Sequence, residues 1–195
     1  MHLEAFTLSD EPTTVGYDDR VIALHDAASR LIQQVLHMDT SIASTKYLPF
    51  QVYQIFAVAC FVLLKLLRND YFSTLINASA SRKLFHKSIS TMRRMSVRNN
   101  DIPARVSDVL AYLWNLADHA VIGGQGQAGL QLQIKSRLSV SVVYDSLWKW
   151  RDQFRVQPDR NCQDEPPSEE NDFDSNAFQQ FDPLPGDDLF WDWFR

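Results

Sequence analysis

The sequence predicts an all-α fold, a bundle of about five helices, followed by a disordered acidic tail. Apolar side chains recur every three to four residues along most of residues 17–157. Start signals for helices stand at Pro49 and at Asp101-Ile102-Pro103. The connections between these periodic segments are short, which is typical of a helical domain. We therefore divide the chain into a flexible leader (1–16), a helical domain (17–157) and an acidic-aromatic tail (158–195).

The amino-terminal half supplies the leader and the first two helices. Residues 1–16 are polar and include Pro12 and Gly16, so we expect them to fray. A helix follows from Asp18, with its apolar stripe reaching Val35. Residues 50–67 are apolar nearly all round, which predicts a central, buried helix. Their longest apolar run has ten residues, too few for a membrane span, which needs about 18–20.

Three more helices are predicted in the second half. One runs over residues 81–97, and the next begins after Asp101, which has the side chain of an N-cap. The pattern of that helix continues as far as Ile122. A glycine-rich loop over residues 123–129 comes next. The last helix is marked by an apolar stripe of Val140, Val143, Leu147, Trp150 and Phe154.

Charge divides the chain into two parts. The total is 19 bases and 24 acids, and residues 158–195 hold eleven of the acids but only two of the bases. The tail therefore carries −9, and the remaining 17 bases and 13 acids give the body +4. Two cysteines, Cys60 and Cys162, are too few for a disulfide framework and indicate a reducing compartment. No secretory signal is visible in the first residues.

A dinucleotide-binding enzyme is the alternative that the glycine-rich loop raises. Gly124, Gly126 and Gly129 match the spacing that lets a backbone approach a pyrophosphate. Residues 138–144 would then form a second strand that ends at Asp145, the residue expected to bind a ribose. A helical stripe that continues past Asp145 and the lack of further strands argue against this alternative. We prefer an interhelical loop.

The sequence gives no positive indication of catalysis or of a bound cofactor. The five histidines show no metal-ligand spacing, and no serine stands in a nucleophile elbow. His86 lies among Arg82, Lys83 and Lys87, which is typical of a solvated surface histidine. We therefore expect neither an enzyme nor a metal or cofactor site in this chain.

A basic strip is predicted on the third helix. At 100° per residue, Lys83, Lys87, Arg94 and Arg98 fall beside its apolar face. These cations could contact phosphates, but a solvated helix face is the commoner reason for such a strip. No recognition helix accompanies them, so we expect no specific DNA contact. The acidic tail is a second possible occupant, and docking there would mask it until a signal bound to the body released it.

The tail combines acids with bulky apolar residues, as amphipathic activation segments do. Such segments keep their aromatic rings solvated and order when the rings enter a groove on a partner. The alternative is that the tail folds back and packs its aromatic rings on the helical domain. The expected partner-binding anchor comprises Leu189, Phe190, Trp191, Trp193 and Phe194.

Two segments of the body carry a family resemblance. Residues 88–114 (SISTMRRMSVRNNDIPARVSDVLAYLW) and 136–154 (SRLSVSVVYDSLWKWRDQF) resemble the C-terminal part of the middle homology region of fungal transcription factors. Those factors carry a binuclear zinc cluster held by six cysteines. The similar group includes the yeast regulators of leucine biosynthesis and of weak-acid resistance. The resemblance covers about residues 47–155.

The resemblance implies a nuclear regulator with a helical regulatory domain and a C-terminal activation segment. Its partners would be coactivator or mediator-type proteins. The zinc of the family's cluster has no ligands here, because neither Cys60 nor Cys162 matches a cluster position, so no zinc-binding or DNA-binding residue carries over. The second hypothesis is a protein without DNA binding that dimerises with a full-length relative and modulates it.

Overall fold

The structure is a computed structural model, and it describes residues 4–42, 48–98, 101–116, 127–135 and 140–155. Within these ranges the chain forms α-helices and short 3₁₀ helices and contains no strand. This confirms the all-α fold. The α-helices are α1 (Tyr17–Ile42), α2 (Phe50–Leu67), α3 (Asp70–Leu75), α4 (Ala78–Met95), α5 (Ile102–Asn115) and α6 (Ser141–Arg155), and the 3₁₀ helices are Glu4–Ser9 and Gln127–Leu130.

Helix α2 forms the centre of the domain, as its apolar sequence predicts. It packs against α1, α3, α4, α5 and α6, and every residue from Phe56 to Leu67 is buried. Among the described residues it is the one helix whose length and composition would suffice to cross a membrane, yet 67% of it is buried inside the protein. That burial is the arrangement of a core helix, whose apolar surface is covered by neighbouring helices.

The amino-terminal segment is more ordered than a flexible leader, contrary to the prediction for residues 1–16. Residues Glu4–Ser9 form a 3₁₀ helix that buries Ala5 and Leu8 in the core. The backbone N–H of Leu132 donates to the carbonyl of Leu8 at 3.3 Å. Gly16, with φ +75°, turns the chain into α1 through a backbone conformation that glycine adopts without strain.

Helix α3 was not predicted. Asn69 is its N-cap, and Oδ1 of that side chain accepts from the N–H groups of Tyr71 (3.0 Å) and Phe72 (3.1 Å). The helix has six residues and buries Phe72 alone, so it offers too few apolar positions for a periodic stripe. An asparagine followed by an acid was the available signal, because both residue types favour a helix start.

Two helices end earlier than predicted. Helix α4 ends at Met95 rather than at residue 97, and the next residue adopts extended backbone. Helix α5 begins after its N-cap Asp101, as predicted, but it ends at Asn115 and does not continue to Ile122. Arg68 caps this end, since its guanidinium donates to the carbonyls of Trp114 (3.0 Å) and Leu116.

The dinucleotide-binding alternative is contradicted by the position of Asp145. This residue lies inside α6, and residues 141–144, which would have ended the second strand, are helical. Gly129 belongs to a 3₁₀ helix, whereas Gly124 and Gly126 lie outside the described residues. The prediction of a last helix with a buried stripe is confirmed, since Val143 and Leu147 are fully buried.

Candidate functional site

Helix α4 presents the candidate site because it places cations on one side and apolar residues on the other. Its N-cap is Asn77, whose Oδ1 accepts from the N–H of Ala80 at 3.2 Å. The buried face packs against α1, α2 and α5. The residues buried on this face are Ser81, Phe85, Ser88, Ile89, Thr91, Met92 and Met95.

The opposite side of α4 is exposed and basic. Lys83, Lys87 and Arg94 of the predicted strip lie there, all exposed to solvent. Arg98 is exposed as well but lies three residues beyond the end of the helix, so it does not belong to the helical strip. At 100° per residue, Arg98 would align with the strip only if the helix continued past Met95.

Arg82 and Arg93 also lie exposed on α4, outside the predicted strip. No Asp or Glu occurs between Ala78 and Met95, so the helix carries five cations and no anion of its own. Arg93 Nη2 lies 3.0 Å from Oδ1 of Asp108 on α5, and both side chains are largely exposed. One carboxylate beside five cations leaves the face predominantly positive.

An aromatic cluster borders the basic face where α4 meets α5. The ring of His86 meets the indole of Trp114 edge to face, with 5.2 Å between centroids. Phe85 contacts the same indole from the buried side at 5.0 Å. His86 is exposed, as predicted for a surface histidine, and it is ordered by this contact.

The turn between α4 and α5 is organised by Asp101. Its Oδ2 accepts from the N–H groups of Val97 (2.7 Å) and Arg98 (3.1 Å), and its Oδ1 accepts from Ala104 (3.2 Å). Partial burial alone would raise the pKa of Asp101. The hydrogen bonds from these amides and from the Ser96 hydroxyl outweigh that effect and leave the pKa below its usual value.

A buried charge cluster joins α2 to α6. Lys65 Nζ lies 3.0 Å and Lys149 Nζ 3.3 Å from Oδ2 of Asp145, while Oδ1 accepts from the N–H of Gln133 at 2.9 Å. Lys65 and Asp145 are almost completely inaccessible to solvent. The sequence contained one indication of this cluster, because a lysine inside an otherwise apolar helix requires a buried partner.

A histidine and a serine meet between α1 and α4. His25 Nε2 lies 2.8 Å from Oγ of Ser81, and His25 Nδ1 lies 3.2 Å from Oδ1 of the adjacent Asp26. This order of carboxylate, imidazole and hydroxyl resembles that of an activated nucleophile. Ser81 is only 4% exposed, however, so the contact closes the α1–α4 interface rather than facing a substrate.

No cluster of three or more His, Cys, Asp or Glu side chains that could hold a metal ion occurs within the described ranges. Cys60 is buried in α2, and burial raises the pKa of its thiol to about 12. The thiol therefore stays protonated and unreactive at neutral pH. Cys162 lies outside the described residues.

The partner-binding anchor of the tail, Leu189, Phe190, Trp191, Trp193 and Phe194, lies outside the described residues, as does everything after residue 155. Comparison with protein-family models, with curated proteins and with solved structures finds no match for this chain. The resemblance to fungal zinc-cluster factors therefore stays a prediction.

Proposed function

We propose that the chain is a regulatory and activation module of a transcription factor that acts in the nucleus. In this proposal the helical domain is the regulatory part, and residues 158–195 recruit a coactivator or mediator-type protein. The family to which we assign it, the fungal zinc-cluster factors, supplies DNA binding through a zinc cluster that this chain does not contain. The chain itself acts through protein contacts and not through catalysis.

One observation carries the proposal, the mixture of charge and aromatic rings in the tail. Eleven acids lie among nine bulky apolar residues between 158 and 195, with only two bases. Mutual repulsion of carboxylates opposes collapse, so the rings stay accessible to a partner. An aromatic anchor that enters an apolar groove gives most of the binding energy, and cationic groups around that groove attract the acids.

A reporter experiment tests this proposal. The full chain is fused to a DNA-binding domain from an unrelated protein, and transcription of a reporter gene is measured. We expect activation, and we expect Trp191→Ala combined with Trp193→Ala to reduce it about tenfold or more. The reason is that truncation of one anchoring tryptophan costs about 2 kcal/mol or more of binding free energy.

The matched control is Trp148→Ala, which removes an exposed tryptophan of α6. Trp148 is 48% exposed, and the guanidinium of Arg151 lies 4.3 Å from its ring centre. We expect this variant to activate as the unmodified chain does. Equal reporter levels for the double tail variant and the control, at equal protein abundance, would contradict the proposal.

The second candidate function is modulation of a full-length relative by dimerisation. The observation that favours it is the set of exposed apolar side chains on the body, among them Phe50 (47%), Leu75 (47%) and Val97 (65%). In this case the fusion leaves the reporter silent, and a zinc-cluster protein copurifies with the chain. The same experiment therefore separates the two functions.

A further inference from the structure

Ser96 follows a pair of arginines at the end of α4, and this sequence plays no part in the proposed function. It is the first residue after α4, and the chain reads Arg93-Arg94-Met95-Ser96-Val97. Two arginines thus precede a hydroxyl by three and two residues, and an apolar residue follows it. Ser96 is partly exposed, and the flanking Val97 is 65% exposed.

We propose that Ser96 is a phosphorylation site for a basic-directed protein kinase, meaning a kinase whose peptide cleft is lined by carboxylates. Those carboxylates would bind the guanidinium groups of Arg93 and Arg94 through charge-assisted hydrogen bonds. In the reaction, Ser96 Oγ forms a bond to the γ-phosphorus of ATP while the bond from that phosphorus to the β-phosphate oxygen breaks. ADP leaves, and the hydroxyl proton passes to a base of the kinase. This inference does not depend on the proposed function.

The backbone at Ser96 suits such a reaction. Its φ of −61° and ψ of 132° are extended, the conformation of a peptide laid along a cleft. The two arginines lie in the last turn of α4, so that turn must open before they can bind. Besides the helical backbone bonds, it is held by hydrogen bonds from Ser96 N–H to the Arg93 carbonyl (3.2 Å), from the Tyr53 hydroxyl to the Met95 carbonyl (2.9 Å) and from Arg94 Nη2 to Thr91 Oγ1 (2.7 Å). Terminal helical turns open far more often than the core does.

Phosphorylation would reverse the electrostatics of the turn. The Ser96 hydroxyl donates to the carbonyl of Arg98 at 3.0 Å and also contributes to the low pKa of Asp101. A phosphoryl group would remove that donor and place a charge of about −1.5 to −2 beside the carboxylate. The carboxylate that orders the turn would then be repelled, while Arg94 and Arg98 would be attracted. The turn would lose its hydrogen bonds to the Asp101 carboxylate and would instead be held by the attraction of Arg94 and Arg98 to the phosphoryl group.

The experiment incubates the full chain with ATP and the catalytic subunit of a basic-directed kinase and locates the product by mass spectrometry. We expect one phosphoryl group on Ser96 and none after Ser96→Ala. Arg94→Ala should slow labelling about tenfold, because the kinase cleft then lacks one charge-assisted hydrogen bond to the chain. Ser90→Ala is the matched control, since Ser90 is an exposed serine of α4 without the arginine pair.

Tyr53→Phe tests whether the last turn must open. This variant lacks the hydroxyl that binds the Met95 carbonyl, so labelling of Ser96 should become faster than in the unmodified chain. The proposal would be overturned if the kinase phosphorylates a peptide of residues 90–101 but does not phosphorylate the full chain. Labelling of the full chain at other serines with Ser96 unmodified would overturn it as well.

Amide hydrogen exchange measures the effect on the turn. In the phosphorylated chain we expect faster exchange at Val97, Arg98 and Ala104, the amides that Asp101 now accepts from. Exchange at the buried centre of α2 should stay unchanged. Identical exchange at these three amides before and after phosphorylation would overturn the proposed reorganisation.

Discussion

Lys65 Nζ on α2 lies 3.0 Å from Oδ2 of Asp145 on α6, and the two residues are 80 positions apart in the chain. Both side chains are buried, and Lys149 brings a second ammonium to the same carboxylate. The cluster therefore contains one more positive than negative charge. It fixes the position of α6 on the central helix, because a shift of one residue along either helix would leave a buried charge unpaired.

Replacement of Asp145 alone should therefore lower the free energy of unfolding more than replacement of Lys65 and Asp145 together. We expect Asp145→Leu to lower the free energy of unfolding by about 3–5 kcal/mol, since it leaves two ammonium groups without a carboxylate. Lys65→Met should cost less, because Lys149 and the Gln133 N–H still bind the carboxylate. Urea denaturation followed by circular dichroism measures both.

The double variant Lys65→Met with Asp145→Leu is the control for that comparison. We expect it to recover much of the loss, because a buried pair replaced by apolar side chains leaves no unpaired charge. Losses that simply add in the double variant would show that the two residues act independently.

The same cluster predicts a pH dependence. Burial, assisted by Lys149, lowers the pKa of Lys65 from 10.5 to about 8, although Asp145 opposes the shift. Between about pH 8 and 10.5 the unfolded chain thus binds more protons at Lys65 than the folded chain does. The free energy of unfolding should gain a contribution that rises with pH across this window. Titrated urea melts measure it.

Lys65→Met isolates that contribution from other groups. The pKa values of Tyr17 and Cys60 are raised to about 12, so their contributions fall with rising pH in the same region. Tyr17 and Cys60 are both present in Lys65→Met. The difference between the two curves of unfolding free energy against pH, for the unmodified chain and for this variant, is therefore the contribution of Lys65. Parallel curves for the two proteins from pH 8 to 10 would rule out a depressed pKa at Lys65.

Asp101 should stabilise the turn that it orders. We expect Asp101→Ala to cost about 1–2 kcal/mol, the usual loss on removal of an N-cap. Asp101→Asn should cost less, because its amide oxygen still accepts from the N–H of Ala104. The contribution of Asp101 should be complete at pH 7 and be lost as the pH falls through its lowered pKa. Thermal unfolding at pH 7 and pH 3 checks both statements.

Docking of the tail on the basic face of α4 is testable by charge reversal. If the −9 tail binds there, Lys83→Glu with Arg94→Glu should release it and make residues 160–190 more sensitive to protease. Lys135→Glu, which reverses an exposed cation outside α4, should leave the cleavage rate unchanged. Equal sensitivity in all three proteins would count against docking.

Local patterns in the sequence predicted the fold better than they predicted the contacts. Proline and Asp101 marked helix starts because capping depends on neighbouring residues only. The stripe of α6 was visible because Val143 and Leu147 repeat along one face. Lys65 could not be paired with Asp145 in the same way, since periodicity along one helix does not tell which face meets another.

Two further differences between the predicted and the observed structure, at Leu8 and at Arg98, have similar causes. The carbonyl of Leu8 accepts from the N–H of Leu132, a contact that no pattern within residues 1–16 reports. Arg98 does not belong to the basic strip because α4 ends at Met95, whereas the prediction continued the helix to residue 97. The turn that Asp101 orders takes the place of those last two residues of helix. Both cases depend on contacts made by residues outside the segment that was read.

The contact between Leu8 and Leu132 also bears on the order in which the domain folds. Residues 8–10 are bound by residues 131–135, through Leu132, Gln131 and Lys135. The side-chain hydrogen bonds from Gln131 and Lys135 join residues 121 and 126 positions apart, so each requires closure of a long loop. Because the entropy of loop closure is lost before such contacts form, we expect this junction to assemble late in folding.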